Sequence, residues 1–355
     1  MKVSYFKISF LLISLLGLLI AYSGYYFLPT RFFNDTNLLI NDPWNEIGFK
    51  GSYPLTILFY NITGLKHLSF PLIGALQFIV LILLVRKIGI SKRFHVLSVK
   101  NVLVYFFILV TAIYLAMPTK EFITFCFTGL LVLFFKCRKL SYRKTIVVSI
   151  ITLLLFAYFF REYYFLVVLT ALFLFFINKI KLKSQRMGNL VFGLLFVIFL
   201  SLSHGVIKGV FISQNTRESH NEWRARIGDT DSNSAIISPI KTDTWYGESF
   251  GILYGFFTVN LPLNSIFRHI LSPQIVVFGI WQLILFVIIY KRYGNCLNNG
   301  KKENYELWLF YFLISYFIVQ GVFEPDLGSA IRHKAGIFPL IYYLMYYEEF
   351  RKELS

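Results

Sequence analysis

Long apolar runs separated by short polar connections dominate the chain. The runs fall at roughly 8 to 28, 69 to 90, 101 to 117, 121 to 135, 145 to 160, 163 to 178, 188 to 207, 270 to 290, 305 to 323 and 335 to 348. Uninterrupted apolar stretches of this length predict α-helices, and the longer ones meet the ~20 residues that cross a hydrocarbon core of ~30 Å. The expected fold is all-α, a polytopic bundle of about 10 transmembrane spans (about 8 to 12), with residues 1 to 355 as a single integral membrane domain. Several runs reach only about 15 to 17 residues, the short end of the spanning range. The first run follows a short basic start, but Tyr25, Tyr26, Phe27 and Leu28 continue it where a signal peptide would show small residues, so it is expected to be a retained helix.

The polar positions gather in three outer regions: 29 to 52, 208 to 268, and the stretch from Glu324 to Lys334. Residues 208 to 268 form a large loop, expected on the periplasmic side. Within it, Arg217, His220, Trp223, Arg224 and Arg226 stand beside Glu218, Glu222, Asp229 and Asp231. Glu218 and Glu222 share one helical face, which suits either a site or the solvated side of a surface helix. The segments YPLTILFYNITG and SFGILYGFFTVNLP are apolar but too short to span comfortably, and are expected to be interfacial or re-entrant. Two tight outer turns add Lys120 with Glu121 in MPTKEF and Arg161 with Glu162 in FREYYF. Such pairs either hydrate at helix ends or face a ligand. Tyr163 and Tyr164 beside the second pair suit stacking against a sugar. Arg268 and His269 precede the eighth run.

Composition sharpens this picture. Hydrophobic residues make up 57% of the 355 and charged ones 15%, with mean hydropathy +0.64, outside the balance of a soluble domain. With the N-terminus placed in the cytoplasm, the inner segments collect 22 of the 35 lysines and arginines, from Lys2 and Lys7 through clusters such as Lys136, Arg138 and Lys139 to Arg351 and Lys352. That asymmetry puts both termini inside a bacterial cytoplasmic (inner) membrane. It also accounts for most of the formal charge of +17, so no nucleic-acid partner is expected. Cys126, Cys137 and Cys296 have neither a disulfide framework nor metal-ligand spacing.

The Arg332-His333-Lys334 triplet with Glu324 and Asp326 lies between two apolar runs. Ionisable groups at a membrane edge cost several kcal/mol unless they pair, line a wet cavity or bind something. On the same side lie Arg161, Arg217, Arg224, Arg226 and Arg268, with Asp35, His220 and His269. Arginine's planar fork grips phosphate oxygens bidentately and keeps its charge, so several together suit a lipid-linked pyrophosphate without a metal. A carboxylate or neutral histidine then serves to take a sugar hydroxyl proton. No HExxH or Walker sequence is present to support a metal hydrolase or ATPase.

In layout, with LPTRFFNDTNLLI after the first helix, PTKEF, FREYYF, an arginine-bearing outer loop and FEPDLGSAIRHKAGIFPL near the end, the chain resembles bacterial O-antigen or capsule repeat-unit polymerases of the Wzy type. The resemblance implies a cofactor-free, metal-independent membrane glycosyltransferase of capsule or lipopolysaccharide biosynthesis. Its substrate would be undecaprenyl-pyrophosphate-linked oligosaccharide, polymerised at the outer face of the cytoplasmic membrane, with the lipid bilayer and a chain-length regulator protein as partners. On that reading Asp35, Glu324 or His333 would be catalytic. Arg161, Tyr163, Arg217, Arg224, Arg268, Asp326, Arg332 and Lys334 would bind substrate, with Arg332, Arg161 and Arg268 on the pyrophosphate. Rival expectations are another lipid-linked glycan transferase or ligase, a membrane acyltransferase, or a lipid-linked oligosaccharide flippase or transporter. A flippase would hold its basic groups in a central cavity, and a transporter would show an internal repeat.

Overall fold

The computed structural model describes residues 4–226, 234–298 and 304–352; Lys2, Asp229, Asp231, Lys301 and Lys302 lie outside them. The described residues form helices α1 (Tyr5–Phe27), α2 (Asn34–Asn41), α3 (Ser52–Ile62), α4 (Phe70–Ile88), α5 (Val99–Tyr114), α6 (Lys120–Cys137), α7 (Tyr142–Phe159), α8 (Tyr163–Ile177) and α9 (Gln185–Lys208). They continue with α10 (Ser219–Arg226), α11 (Trp245–Asn260), α12 (Leu263–Arg268), α13 (Pro273–Asn298), α14 (Tyr305–Phe323), α15 (Leu327–Gly336), α16 (Phe338–Met345) and α17 (Tyr347–Lys352). Among them there is no strand, only an isolated bridge between Ala235 and Asp326. The protein is all-helical.

Among the described residues six helices, α1, α4, α7, α9, α13 and α14, are long and apolar enough to cross a membrane. The other expected spans fall short of that standard for identifiable reasons. Helices α5 and α8 have 16 and 15 residues. Helix α6 carries Lys120, Glu121 and Lys136 within its 18 residues. The last run is broken where Gly336 ends α15 and Pro339 opens the 8-residue α16, since proline favours a first helical turn and disrupts a helix interior. The two short outer segments are helices of 11 and 16 residues, α3 and α11.

The chain divides into two compact units, one of Met1–Glu162 with Arg332–Ser355 and one of Tyr163–Ile331. In the first, α1 packs on α4 and α5, α4 on α6, and α16 on α6. The α1 and α4 backbones approach closely because Gly74 leaves room for the Ala21 carbonyl, which a Cβ there would meet at 2.4 Å. Most of α1's other apolar side chains are exposed, as a lipid-facing helix requires. In the second unit α14 is the core: it packs on α8, α11 and α9 and is buried on nearly all sides. Local signals set the helix starts. The side chains of Ser98, Thr119, Thr244 and Asn304 accept backbone N–H groups at the starts of α5, α6, α11 and α14, satisfying donors that a helix leaves unpaired. Gly209, at φ 74°, ends α9 in the left-handed conformation glycine favours.

Candidate functional site

In the first unit, four sequence-predicted residues converge with three others. Thr119 caps α6, so Lys120 and Glu121 sit in its first turn. Thr36 of α2 donates to the Pro118 carbonyl at 3.1 Å, which sets Asp35 beside that turn. Arg161 follows α7 directly, its own N–H bonded to the Phe156 carbonyl at 3.1 Å. Helix α15 supplies Arg332 and His333, and its end is held by Thr128 of α6, which donates to the Gly336 carbonyl at 3.0 Å.

Glu121 is the hub. Its Oε1 accepts from Arg161 Nη2 at 2.7 Å, and lies 3.2 Å from His333 Nε2 and 3.8 Å from Arg332 Nε. Arg332 Nη1 reaches on to Asp35 Oδ2 at 2.7 Å, where Lys120 Nζ stands 3.9 Å away. Tyr53 donates its hydroxyl to Asp35 Oδ1 at 2.9 Å, and Lys120 lies 3.5 Å above the Tyr53 ring. Side-chain exposure rises along this network from 1% at Glu121 through 12% at His333 and 19% at Asp35 to 27% at Arg332. A ligand therefore meets Arg332 and Asp35 first.

Charges this buried persist only when paired, because each ion leaving water costs several kcal/mol. Here Lys120, Arg161 and Arg332 face Asp35 and Glu121. Burial pushes the Asp35 carboxyl up, but Arg332 and Lys120 outweigh it and hold the group down at about 2. Burial pulls Lys120 down to about 8 against the opposing pull of Asp35 and Glu121. Burial, reinforced by Asp35, drives the Tyr53 hydroxyl well above its ordinary range, so it stays a donor.

Lys334 is buried in the same unit, 1% exposed. The remaining predicted residues belong to the second unit. Arg217 is fully buried and donates from Nη1 to the Gly321 carbonyl at 2.9 Å. Arg224 pairs with Asp326 at 2.7 Å, and Asp326 Oδ1 also accepts the Ser329 N–H at 2.8 Å, in the first turn of α15. Glu324 is buried and accepts from Gln320 Nε2 at 2.8 Å. Tyr163 stacks on Phe323 with ring centroids 4.2 Å apart, and Tyr164, which the sequence suggested for stacking against a sugar, is wholly buried beside it. Arg268 is exposed at the end of α12. Of the pair flanked by alternatives in the large loop, Glu218 accepts from Thr242, while Glu222 lies 3.8 Å from Arg226 on the exposed α10.

Sequence reasoning gave Lys120 and Glu121 no firm role, and missed Tyr53. The available signal was the charge of Glu121 next to an apolar run, which a hydrated helix end would share. The chain matches no protein-family model, no curated protein and no solved structure.

Proposed function

We propose that the protein polymerises lipid-pyrophosphate-linked oligosaccharide repeat units at the outer face of a bacterial cytoplasmic membrane, with the Asp35, Glu121, Arg161, Arg332 and His333 cluster as its reaction centre. The observation that supports this most is a buried ion-pair network of three basic groups that ends on a guanidinium, Arg332, at its most accessible point. A pyrophosphate arriving there exchanges one carboxylate partner for two phosphate groups, and Arg332, with Lys120 and Arg161 behind it, neutralises the charge that builds on the leaving group.

Of the three candidate bases, His333 fits best. Asp35 is held at about 2, which makes it a weak proton acceptor at neutral pH, since base catalysis works best near the operating pH. Its part is to hold Arg332 in place. The lipid side of the substrate agrees with a chain bearing six helices of membrane-crossing length and apolarity.

The test is elongation. Purified protein in lipid, given lipid-pyrophosphate-linked repeat units, is expected to produce a ladder of polymer, and to do so in excess chelator. Movement of the substrate across the bilayer without any polymer would instead identify a flippase. Loss of the ladder under chelation, restored by magnesium or manganese, would overturn the metal-independent form of the reaction.

A further inference from the structure

Glu121 does more than neutralise its neighbours. An ionised carboxylate has lone pairs and no hydrogen to give, so a ring nitrogen 3.2 Å from Glu121 Oε1 must itself carry the proton of that contact. The nitrogen is His333 Nε2. We propose that Glu121 is a positioning residue that fixes His333 in the tautomer protonated on Nε2, making Nδ1 the atom that accepts a proton from substrate. This rests on the polymerase reading for its substrate, a sugar hydroxyl, but not for its tautomer.

Two features make the arrangement rigid. Glu121 stands in a capped first turn of α6, and α15 ends against it: a Cβ on Gly336 would lie 3.6 Å from the Glu121 carbonyl oxygen. The same Oε1 also takes Arg161 at 2.7 Å, so the carboxylate cannot rotate away from the ring without giving up a buried ion pair. Glu121 contacts the ring, Arg161 and Arg332 share the same carboxylate oxygen, Lys334 follows on the same helix, and Asp35 with Lys120 joins through Arg332. In the transfer step the acceptor sugar's O–H proton passes to Nδ1 and its oxygen forms the new bond to the donor's anomeric carbon. The bond from that carbon to the lipid pyrophosphate breaks, and the pyrophosphate departs with the electron pair into the field of Arg332. The imidazolium so formed is stabilised by Glu121, the orienting role a carboxylate plays behind a histidine base.

Two measurements decide it. Nitrogen NMR of protein labelled at histidine, with His333 assigned by its absence in His333→Gln, is expected to show His333 with a protonated Nε2 and an unprotonated Nδ1; the opposite tautomer overturns the proposal whether or not the protein polymerises anything. In the elongation assay, Glu121→Gln is expected to lower kcat by ~10- to 100-fold with KM changed by less than ~3-fold, within the range for impaired base catalysis. The acid limb of its rate–pH profile should move to lower pH, because loss of a carboxylate disfavours the charged ring. Glu121→Asp should recover part of the rate and of the original limb. A rate loss in both variants with the limb unmoved would show Glu121 to be merely structural. A wild-type protein that yields no polymer would refute the polymerase reading while leaving the tautomer result to stand.

Discussion

Arg161 and Glu121 form a buried ion pair at 2.7 Å, with side-chain exposures of 6% and 1%. Such a pair is seldom a net source of stability, but removing one partner leaves a charge stranded out of water, at a typical cost of ~3–5 kcal/mol. Glu121 keeps His333 and Arg332 when Arg161 is lost, so Arg161→Met should cost about 3 kcal/mol, the lower end of that range. Denaturant titration in detergent measures this, and Arg161→Met combined with Glu121→Gln should recover about half of the loss, by the non-additivity expected of contacting residues. Additive losses would show that the two side chains do not interact.

Arg332→Lys tests the geometry of the accessible cation. Lysine keeps the charge but not the planar fork that spans Asp35 Oδ2 and the Glu121 side, and it cannot grip a phosphate bidentately. The expected result is a loss of about 100-fold in polymer formation, with normal insertion and amount of protein, in line with removal of one stabilising donor from a reaction centre. Full polymer ladders from this variant would remove Arg332 from the mechanism.

How much of this was legible in the sequence differs from residue to residue. Arg332 and His333 stood out because charge is costly beside an apolar run. Glu121 did not, because a Lys-Glu step at a helix end looks the same in sequence whether it is hydrated or buried, and only the end of α15 against α6 decides it. Hydropathy likewise marked α14 and α1 alike, though α14 is enclosed by protein and α1 is largely exposed. It cannot tell a buried core helix from a lipid-facing span, and the ten apolar runs give six helices of membrane-crossing length among the described residues because the others are short, charged or broken. Asp326 was singled out for its charge, and its bonds to Arg224 and the Ser329 N–H provide a local structural use for it.

Glycines at 247, 251 and 255 line one face of α11 at four-residue spacing. A Cβ at Gly255 would meet the Gly321 carbonyl oxygen at 2.0 Å and Arg217 Nη1 at 2.2 Å. Small residues at such spacing let helix backbones approach closely. Gly255→Ala should therefore destabilise the protein by about 2 kcal/mol despite alanine's better helix propensity, as overpacking does. Gly209→Ala, where a Cβ meets nothing within 4 Å, should cost only about 1 kcal/mol through its left-handed backbone. Equal melting temperatures for Gly255→Ala and wild type would show that α11 and α14 are not so closely packed.

Stability should follow pH in two windows. Asp35 is lowered from its ordinary value near 4 to about 2, so the stability it contributes, roughly 2 kcal/mol, is complete above pH 4 and is lost as pH falls toward 2. Lys120 is lowered to about 8, so between pH 8 and 10 the unfolded chain binds more protons there than the folded one, and stability rises with pH. Above pH 10 Tyr53, raised in the fold, opposes the trend. Unfolding midpoints across pH 2 to 10 check both limbs. Asp35→Asn should shrink the acid limb, which the Glu121 carboxyl, also held low by Arg332 and Arg161, shares, and Lys120→Met should remove the alkaline one; an acid limb unchanged in the first variant, or an alkaline limb that persists in the second, would assign it to another group.

Orientation in the membrane is the remaining expectation open to direct test. Helix α13 has 26 residues, about 39 Å at ~1.5 Å per residue, longer than a hydrocarbon core of ~30 Å. Its C-terminal turns carry Lys291 and Arg292 beyond the apolar stretch, and the basic residues that follow mark that end as cytoplasmic under the positive-inside rule. A single span then places the loop before it, residues 208 to 268, outside. An alkaline phosphatase fused after Ser232 should be active and one after Asn298 inactive, because the enzyme matures only outside the cytoplasm. The reverse pattern would invert the topology. Activity at both positions would mean that α13 does not cross the membrane.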